Sequence, residues 1–159
     1  MDSDLTTHYI EGIARMGNTS FRVPLFSHIA RNIWSGGCPR GEAPKEFQFV
    51  VCLYPWEPYK RHEHQTYLEA RLYDAHDMPE TGLLYALADY INAVEPFGKV
   101  LVHCQAGLNR SALVTGLALI RAGMEAAEAV ALLRKQRCDA VLCNPTFEAW
   151  LLQEKAPRA

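Results

Sequence analysis

Cys104 and Arg110, which are separated by five residues, are the side chains of this sequence best suited to carry chemistry. The apolar run at residues 100–102 predicts a buried strand before them, and the apolar segment after them predicts a buried helix. A loop from a strand into a helix N-terminus points backbone N–H groups and the positive end of the helix dipole at one position, which suits an anion. The planar guanidinium of Arg110 can hold two phosphate oxygens. The same positive field favours the thiolate of Cys104, so the pattern predicts in-line attack of sulfur on phosphorus.

Residues 103–111, HCQAGLNRS, resemble the signature loop of the cysteine-dependent protein tyrosine phosphatases, in their dual-specificity branch. The resemblance implies that Cys104 is the nucleophile, that Arg110 holds the phosphate and that His103 tunes the cysteine. It also implies that the hydroxyl of Ser111 eases departure of the thiolate when the phosphocysteine is hydrolysed. The similarity extends less sharply from about residue 29 to residue 152. The loop residues implied to bind phosphate are Gln105, Ala106, Gly107, Leu108, Asn109 and Arg110.

The reaction also needs a proton donor for the leaving oxygen, and one carboxylic acid can give that proton and later activate water. The resemblance implies an aspartate on a loop about thirty residues before the cysteine. Asp74 lies thirty positions before Cys104, at the end of a predicted strand, and the spacing favours it. Asp77 lies 27 positions before Cys104, in an Asp-Met-Pro sequence similar to the acid loops of some relatives. Asp77 therefore stays open as the alternative acid.

Cys52 is a candidate redox partner, because relatives sometimes carry a cysteine on this neighbouring strand that forms a disulfide with the nucleophile. Reactive thiolates are the ones that oxidise, and a nearby thiol makes the damage reversible. The alternative, which we favour, is that Cys52 is a small buried apolar side chain. Cys38, Cys138 and Cys143 are interpreted only in this second way.

The resemblance implies a dual-specificity protein phosphatase that acts on phosphotyrosine in a phosphorylated protein or peptide, with action on phosphoserine and phosphothreonine left open. One alternative is a phosphatase of a phosphoinositide or of an RNA 5′-phosphate end. Lipid-directed relatives place lysines inside the loop, whereas the variable positions 105, 106, 108 and 109 are uncharged here. A second alternative is an inactive phosphopeptide-binding module, against which the intact Cys104, Arg110 and Ser111 argue.

The elements that must position the loop are predicted strands that alternate with predicted helices along the chain. Strand material is predicted at residues 21–34, a central parallel strand at 49–53 and a further strand at 68–72. Helices are predicted at 81–94 with Thr81 as the cap, at 125–137, and after Asn144-Pro145. Short helices are predicted around 7–15 and at 43–47. The prediction is an α/β fold, a small mostly parallel central sheet flanked by helices, as in dual-specificity phosphatases.

Residues 54–64 carry three aromatic side chains interleaved with Lys60 and Arg61, after the carboxyl end of the 49–53 strand. Ligands bind at this edge of open α/β sheets, so the segment is either one wall of a substrate cleft or an amphipathic surface helix. His62 and His64 have no third ligand nearby, and neither a metal nor a cofactor is expected.

The 159 residues predict a single catalytic domain at 21–159, preceded by an N-terminal extension at 1–20. A formal net charge of −2 gives no reason to expect nucleic acid or a membrane as a partner. The five cysteines are odd in number and lack C-x-x-C spacing, which indicates a reducing compartment, the cytoplasm. There is no apolar window of about 18 residues and no signal peptide pattern. The sequence does not indicate an oligomeric state.

Overall fold

Seven strands are present in the computed structural model, which describes Leu5 and residues 8–158. They are β1 Tyr9–Ile13, β2 Ser20–Pro24, β3 Phe26–Ala30, β4 Ile33–Gly36, β5 Phe49–Cys52, β6 Thr66–Glu69 and β7 Val100–His103. Five of them form the central sheet in the order β3-β4-β7-β5-β6. The edge strand β3 is antiparallel to β4, and the other pairs are parallel. The predicted mostly parallel α/β sheet is therefore confirmed.

The three middle strands end level with one another. Gly36 of β4 and Cys52 of β5 both pair with His103, the last residue of β7. All four residues of β7 are buried, which explains why this strand is apolar on both faces until its end. The segments that leave these strands therefore begin side by side, and one of them begins with Cys104.

Four helices pack on one face of the sheet: α1 Thr81–Val94, α2 Arg110–Arg121, α3 Ala126–Gln136 and α4 Pro145–Leu152. The helix that follows the cysteine loop, α2, lies among the other three, and all its residues except the last are buried. Asn144 caps α4 as predicted, because its side chain accepts hydrogen bonds from the N–H groups of Thr146 and Phe147. The core around α2 thus fixes the direction in which its N-terminus points.

A smaller apolar cluster covers the opposite face, since side chains alternate along a strand. Trp34, Val50 and Leu101 contribute to it from the sheet, and the buried ring of Phe47 packs on them. The helix predicted at 43–47 is wrong: this segment forms a turn, and the N–H of its first residue donates to the carbonyl of Lys60 at 2.9 Å. Long-range backbone pairing has replaced the local helical hydrogen bonds.

Three further predictions need smaller corrections. The strand expected at 68–72 is β6, which begins earlier because it pairs with β5 in register and leaves the sheet at Ala70, whose N–H donates to the Cys52 carbonyl. Thr81 is the first residue of α1 rather than its cap, and Glu80 holds the cap position. Residues 54–64 form turns and not an amphipathic helix.

The strands β1 and β2 form a separate antiparallel hairpin that packs beside the main sheet. The helix predicted around residues 7–15 is wrong where the structure describes it, because residues 9–13 are strand; residue 7 lies outside the described residues. Gly12 weakens a helix here, and pairing with β2 supplies the backbone hydrogen bonds instead. The buried Ala14 and Met16 anchor the turn, and the boundary predicted after residue 20 falls inside this hairpin.

The close packing of α2 gives a stability prediction. A Cβ at Gly116 would lie 2.7 Å from Leu151 and 3.2 Å from Leu133, both fully buried. Gly116→Ala should therefore lower the free energy of unfolding by about 1–3 kcal/mol, because overpacking outweighs the better helix propensity of alanine. The matched control is Gly82→Ala in the exposed first turn of α1, where the nearest atom would be 3.7 Å away. Urea unfolding should show that control to be neutral or more stable; equal losses at both sites would contradict the packing argument.

Candidate active site

The loop between β7 and α2 closes around the sulfur of Cys104. This side chain is 2% exposed, lies in a cleft, and its Sγ accepts a hydrogen bond from the Gly107 N–H at 3.3 Å. Gly107 has a φ of +74°, and a Cβ there would lie 2.5 Å from the carbonyl carbon of Gly36, so only glycine fits. The N–H groups of the first turn of α2 have no intrahelical partners. The loop therefore has the geometry of an anion-binding site with a thiol in it.

Arg110 begins α2 and lines the same cleft. One of its Nη atoms donates to the Leu72 carbonyl at 3.2 Å, and the ring centroid of Tyr54 lies 5.1 Å from the guanidinium carbon. Its Nε is buried and has no hydrogen-bond partner among the described residues. Because a buried donor without a partner is costly, this Nε is a ready donor for an anionic ligand.

Arg137 supports the loop from below, and the sequence interpretation did not identify it. The residue follows α3, is 7% exposed, and its guanidinium donates to the carbonyls of Ala106 at 3.2 Å and Gly107 at 3.0 Å. It also donates to Ser35 O and Ser27 Oγ, both at 3.0 Å, and to a further backbone carbonyl in β2. Burial lowers the pKa of Arg137 to about 10, so the group stays charged at neutral pH. The buried cation holds the loop carbonyls away from the cleft.

The hydroxyls of Ser35 and Ser111 connect the sheet to the sulfur of Cys104 through hydrogen bonds. Ser111 Oγ lies 3.4 Å from Cys104 Sγ, and Ser35 on β4 donates to Ser111 Oγ at 3.3 Å. Ser35 and Ser111 are both fully buried. The hydroxyl of Ser111 is thus placed where it can donate to a sulfur that carries negative charge.

His103 is fully buried and points away from the sulfur. Its Nε2 lies 2.6 Å from the hydroxyl of Tyr59, and its Nδ1 lies 3.1 Å from the Cys104 carbonyl oxygen. Tyr67 donates in turn to the Tyr59 hydroxyl. This arrangement assigns the proton to Nδ1, and burial lowers the pKa of His103 to about 4. At neutral pH the imidazole is therefore uncharged, and it acts on the position of Cys104 through the backbone.

The two candidate acids lie in different surroundings. Asp74 lines the cleft, and its two carboxylate oxygens accept from the Nδ2 atoms of Asn109 at 3.0 Å and Asn144 at 2.8 Å. Asn109 also ties itself to the Asn144 N–H through Oδ1 at 2.9 Å. Asp77 is exposed and is not among the residues that line the cleft. The structure thus brings Asp74, and not Asp77, next to the cysteine loop.

The cleft above the loop has a volume of about 910 Å³ and two unlike walls. Tyr54, Trp56 and Tyr73 form one wall, with ring centroids 5.2 Å and 5.3 Å apart along the series. Residues 10–15 of the β1 strand and its turn form the other wall. Within residues 54–64, Tyr54 and Trp56 line the cleft, whereas Tyr59, Lys60 and Arg61 are not among its lining residues, so the cleft-wall interpretation holds only for the first two aromatic residues.

Cys52 lies on the other face of the sheet from Cys104. It pairs with His103 in the ladder, so its side chain shares the face of His103 and interacts with Tyr67, whereas Cys104 belongs to the cluster under the helices. Burial raises the pKa of the Cys52 thiol. The structure does not bring the predicted redox pair together, and this placement favours the alternative, a buried apolar side chain.

No group of three or more His, Cys, Asp or Glu side chains among the described residues could hold a metal ion. His62 and His64 stack on each other, and His64 contacts the carbonyl of Lys45 at 2.8 Å. None of the helices in the described part of the chain is long and apolar enough to cross a bilayer.

The sequence model described as dual specificity phosphatase, catalytic domain, matches residues 39–156. The chain belongs to this family. Human DUSP28 has the same fold as this phosphatase, with a TM-score of 0.71 and 21% identity over 80% of this chain and 90% of that chain. Tk-PTP in its active form has a TM-score of 0.68 and 24% identity, over 82% of this chain and 98% of that chain. The Orf virus tyrosine phosphatase OH1 has a TM-score of 0.65 and 20% identity, over 80% of this chain and 84% of that chain. No curated protein matches the chain of this phosphatase.

Membership of the family makes this protein a cysteine-dependent phosphatase, as the sequence pattern predicted. The roles of individual residues remain predictions, but the phosphatase loop brings Cys104 and Arg110 into one cleft and places the buried Ser111 hydroxyl 3.4 Å from the Cys104 sulfur. Arg137 and Tyr59 could not be recognised from local spacing, because their partners lie on other elements. A basic residue after an otherwise amphipathic helix was the only signal for Arg137.

The buried neutral imidazole predicts how stability depends on pH. The pKa of His103 is about 4 in the folded chain and about 6.5 when unfolded, so the unfolded chain takes up the proton first. Stability from this group is fully present above pH 6.5 and is lost as the pH falls toward 4, by about 3 kcal/mol. Urea unfolding of His103→Gln should show a shallower loss over this range than the parent. Exposed His76→Gln is the control and should keep the parent slope; an unchanged slope in His103→Gln would contradict the assignment.

Proposed function

We propose that this phosphatase hydrolyses phosphotyrosine in proteins or peptides, and phosphoserine or phosphothreonine with it, through a phosphocysteine intermediate. One observation carries the proposal: a buried cysteine sulfur shares a cleft with an arginine whose Nε is unpartnered within the described residues. The positive loop above Arg137 suits the dianion of a phosphate monoester. That all five cysteines are free thiols supports a reducing site of action, the cytoplasm.

In the first step the phosphate would lie on the loop N–H groups and on the guanidinium of Arg110. The sulfur of Cys104 attacks phosphorus, forming the S–P bond while the P–O bond to the leaving group breaks. Asp74, which is held at the side of the cleft, gives its proton to the departing oxygen. The Nε and the second Nη of Arg110 bind the equatorial oxygens, where negative charge must be stabilised as the bonds change.

In the second step the Asp74 carboxylate accepts a proton from water as the water oxygen attacks phosphorus. The S–P bond breaks, and inorganic phosphate forms. The electron pair returns to sulfur, and the Ser111 hydroxyl, 3.4 Å away, donates a hydrogen bond to the departing thiolate. Asn109 and Asn144 act as positioning residues, because they hold the carboxylate that serves both steps.

The substrate class can be tested with a panel of phosphotyrosine, phosphoserine and phosphothreonine peptides, a phosphoinositide and an RNA with a 5′-phosphate. Peptide substrates should have the highest kcat/KM, because the loop carries no lysine for the additional phosphates of a lipid. A higher kcat/KM for the phosphoinositide or for the RNA would overturn the protein-directed assignment.

Cys104→Ser should reduce kcat for every substrate in that panel to the background rate. Vanadate should still bind to the variant, since the loop N–H groups and Arg110 remain. Phosphate release and vanadate binding by calorimetry are the two measurements. Turnover near that of the parent would show that Cys104 is not the nucleophile. Loss of vanadate binding together with turnover would point to a collapsed loop.

Removing the acid should affect substrates with poor leaving groups most. Asp74→Asn should lower kcat for a phosphotyrosine peptide about 10²-fold, but nitrophenyl phosphate much less, because nitrophenolate leaves without a proton. Asp77→Asn is the matched control three residues away on the same loop, and its exposed side chain predicts near-parental rates for both substrates. The reverse pattern would assign the acid to Asp77. Equal losses for both leaving groups in Asp74→Asn would indicate a structural role.

A further inference from the structure

The hairpin presents the edge of a strand, and not only side chains, to the cleft. Residues 10–15 all line the cleft in succession, although neighbouring side chains on a strand point to opposite faces. Only Phe21 of β2 reaches the cleft, across the gap left by Gly12. A run of consecutive residues on one wall is what an exposed strand edge produces, so the edge of β1 away from β2 faces the catalytic cleft.

The hydrogen bonds of the hairpin show which backbone groups lie on that edge. At its two ends, Leu25 N–H donates to the His8 carbonyl at 2.7 Å and Ala14 N–H to the Thr19 carbonyl at 2.8 Å. In an antiparallel ladder, residues bonded to the partner alternate with residues whose N–H and C=O point outward. Tyr9, Glu11 and Ile13 are therefore the outward residues within this frame. The Tyr9 carbonyl accepts from an Nη atom of Arg40 at 3.2 Å, whereas the backbone groups of Glu11 and Ile13 have no hydrogen-bond partner in the part of the chain that the structure describes.

The cleft is larger than a phosphorylated side chain requires. Its volume of about 910 Å³ is near the upper limit of about 1,000 Å³ for small-molecule sites. Trp56 and Tyr73, which line the same cleft as β1, are 42% and 64% exposed. The space between an open strand edge and exposed rings suits an extended chain, whose backbone meets the edge and whose side chains meet the rings.

We propose that β1 is a docking strand, on which the polypeptide that flanks the phosphorylated residue adds as a third strand of the hairpin. The inference rests on the proposed protein-directed function and goes beyond it by naming how the substrate chain is held. Outward N–H and C=O groups that recur every second residue match an extended polypeptide and not a nucleic acid or a lipid, which lack that pattern. Recognition through the backbone selects extended segments rather than a particular sequence.

The first experiment uses the parent enzyme and a phosphotyrosine peptide methylated at one backbone nitrogen at a time. Methylation at alternate positions should raise KM by about 3- to 10-fold each, because one hydrogen bond to β1 is lost, and the positions between should change KM little. kcat should stay within about twofold, since the reacting groups are untouched. A flat profile, or losses without a two-residue period, would overturn the docking strand.

The second experiment changes the enzyme. Ile13→Pro removes one outward N–H and keeps the bonds to β2, and proline is tolerated on strand edges. We expect KM for the parent peptide to rise about 3- to 10-fold, with no change for nitrophenyl phosphate. Ile13→Ala is the matched control: it removes the 70% exposed side chain but keeps the N–H, and it should raise KM clearly less than Ile13→Pro does. Equal effects of both variants would assign the contact to the side chain and overturn the backbone mechanism.

The proposed function and the docking strand fail in different ways. If the parent enzyme does not turn over any phosphopeptide but hydrolyses a 5′-phosphorylated RNA, the protein-directed function fails and the docking strand with it. If phosphopeptides are good substrates and the methylated series shows no period, only the docking strand fails. The methylated series uses the parent enzyme, so its result stands even if the Ile13→Pro variant does not fold.

Discussion

The contact between the Arg137 guanidinium and the cysteine loop is the interaction on which the site depends. A peptide unit points its N–H and C=O in opposite directions, so turning the Ala106 and Gly107 carbonyls down onto a buried cation helps to direct amide N–H groups upward. A buried charge is stable only when its donors are satisfied, and here five oxygens accept from it. The loop is thereby made positive before any substrate arrives, which lowers the reorganisation needed for catalysis.

The sequence predicted those parts of the molecule whose causes are local. The apolar run before Cys104 and the cap at Asn144 are decided by neighbouring residues, and both elements are where they were expected. The prediction of a helix near residue 10 was wrong, because pairing with β2, and not local propensity, determines the backbone conformation there. The role of Arg137 was missed for the same reason, since Ser27 and Ser35 are about a hundred positions away in the chain.

The surroundings of two predicted site residues also depend on contacts that spacing does not reveal. Three positions separate Asp74 from Asp77, and only the amides of Asn109 and Asn144, from two other segments, make their surroundings different. The resemblance implies that His103 tunes the cysteine, but its position in the sequence does not show that burial keeps the imidazole neutral or that its Nε2 faces Tyr59. Which side of a strand a residue faces, and how dry that side is, follows from the assembled sheet.

The support of the loop also bears on how such a catalytic unit can be exchanged between proteins. The stretch that matches the family begins at residue 39, but three of the five oxygens that hold Arg137 belong to Pro24, Ser27 and Ser35. The edge strand β3 and its neighbour β4 also come before that point. The segment that matches the family is thus enough to recognise the family, but it does not contain all the residues that support the loop. Recombination or grafting at the borders of this segment would transfer Cys104 and Arg137 without Pro24, Ser27 and Ser35. The Arg137 guanidinium would then be buried without three of its five acceptors.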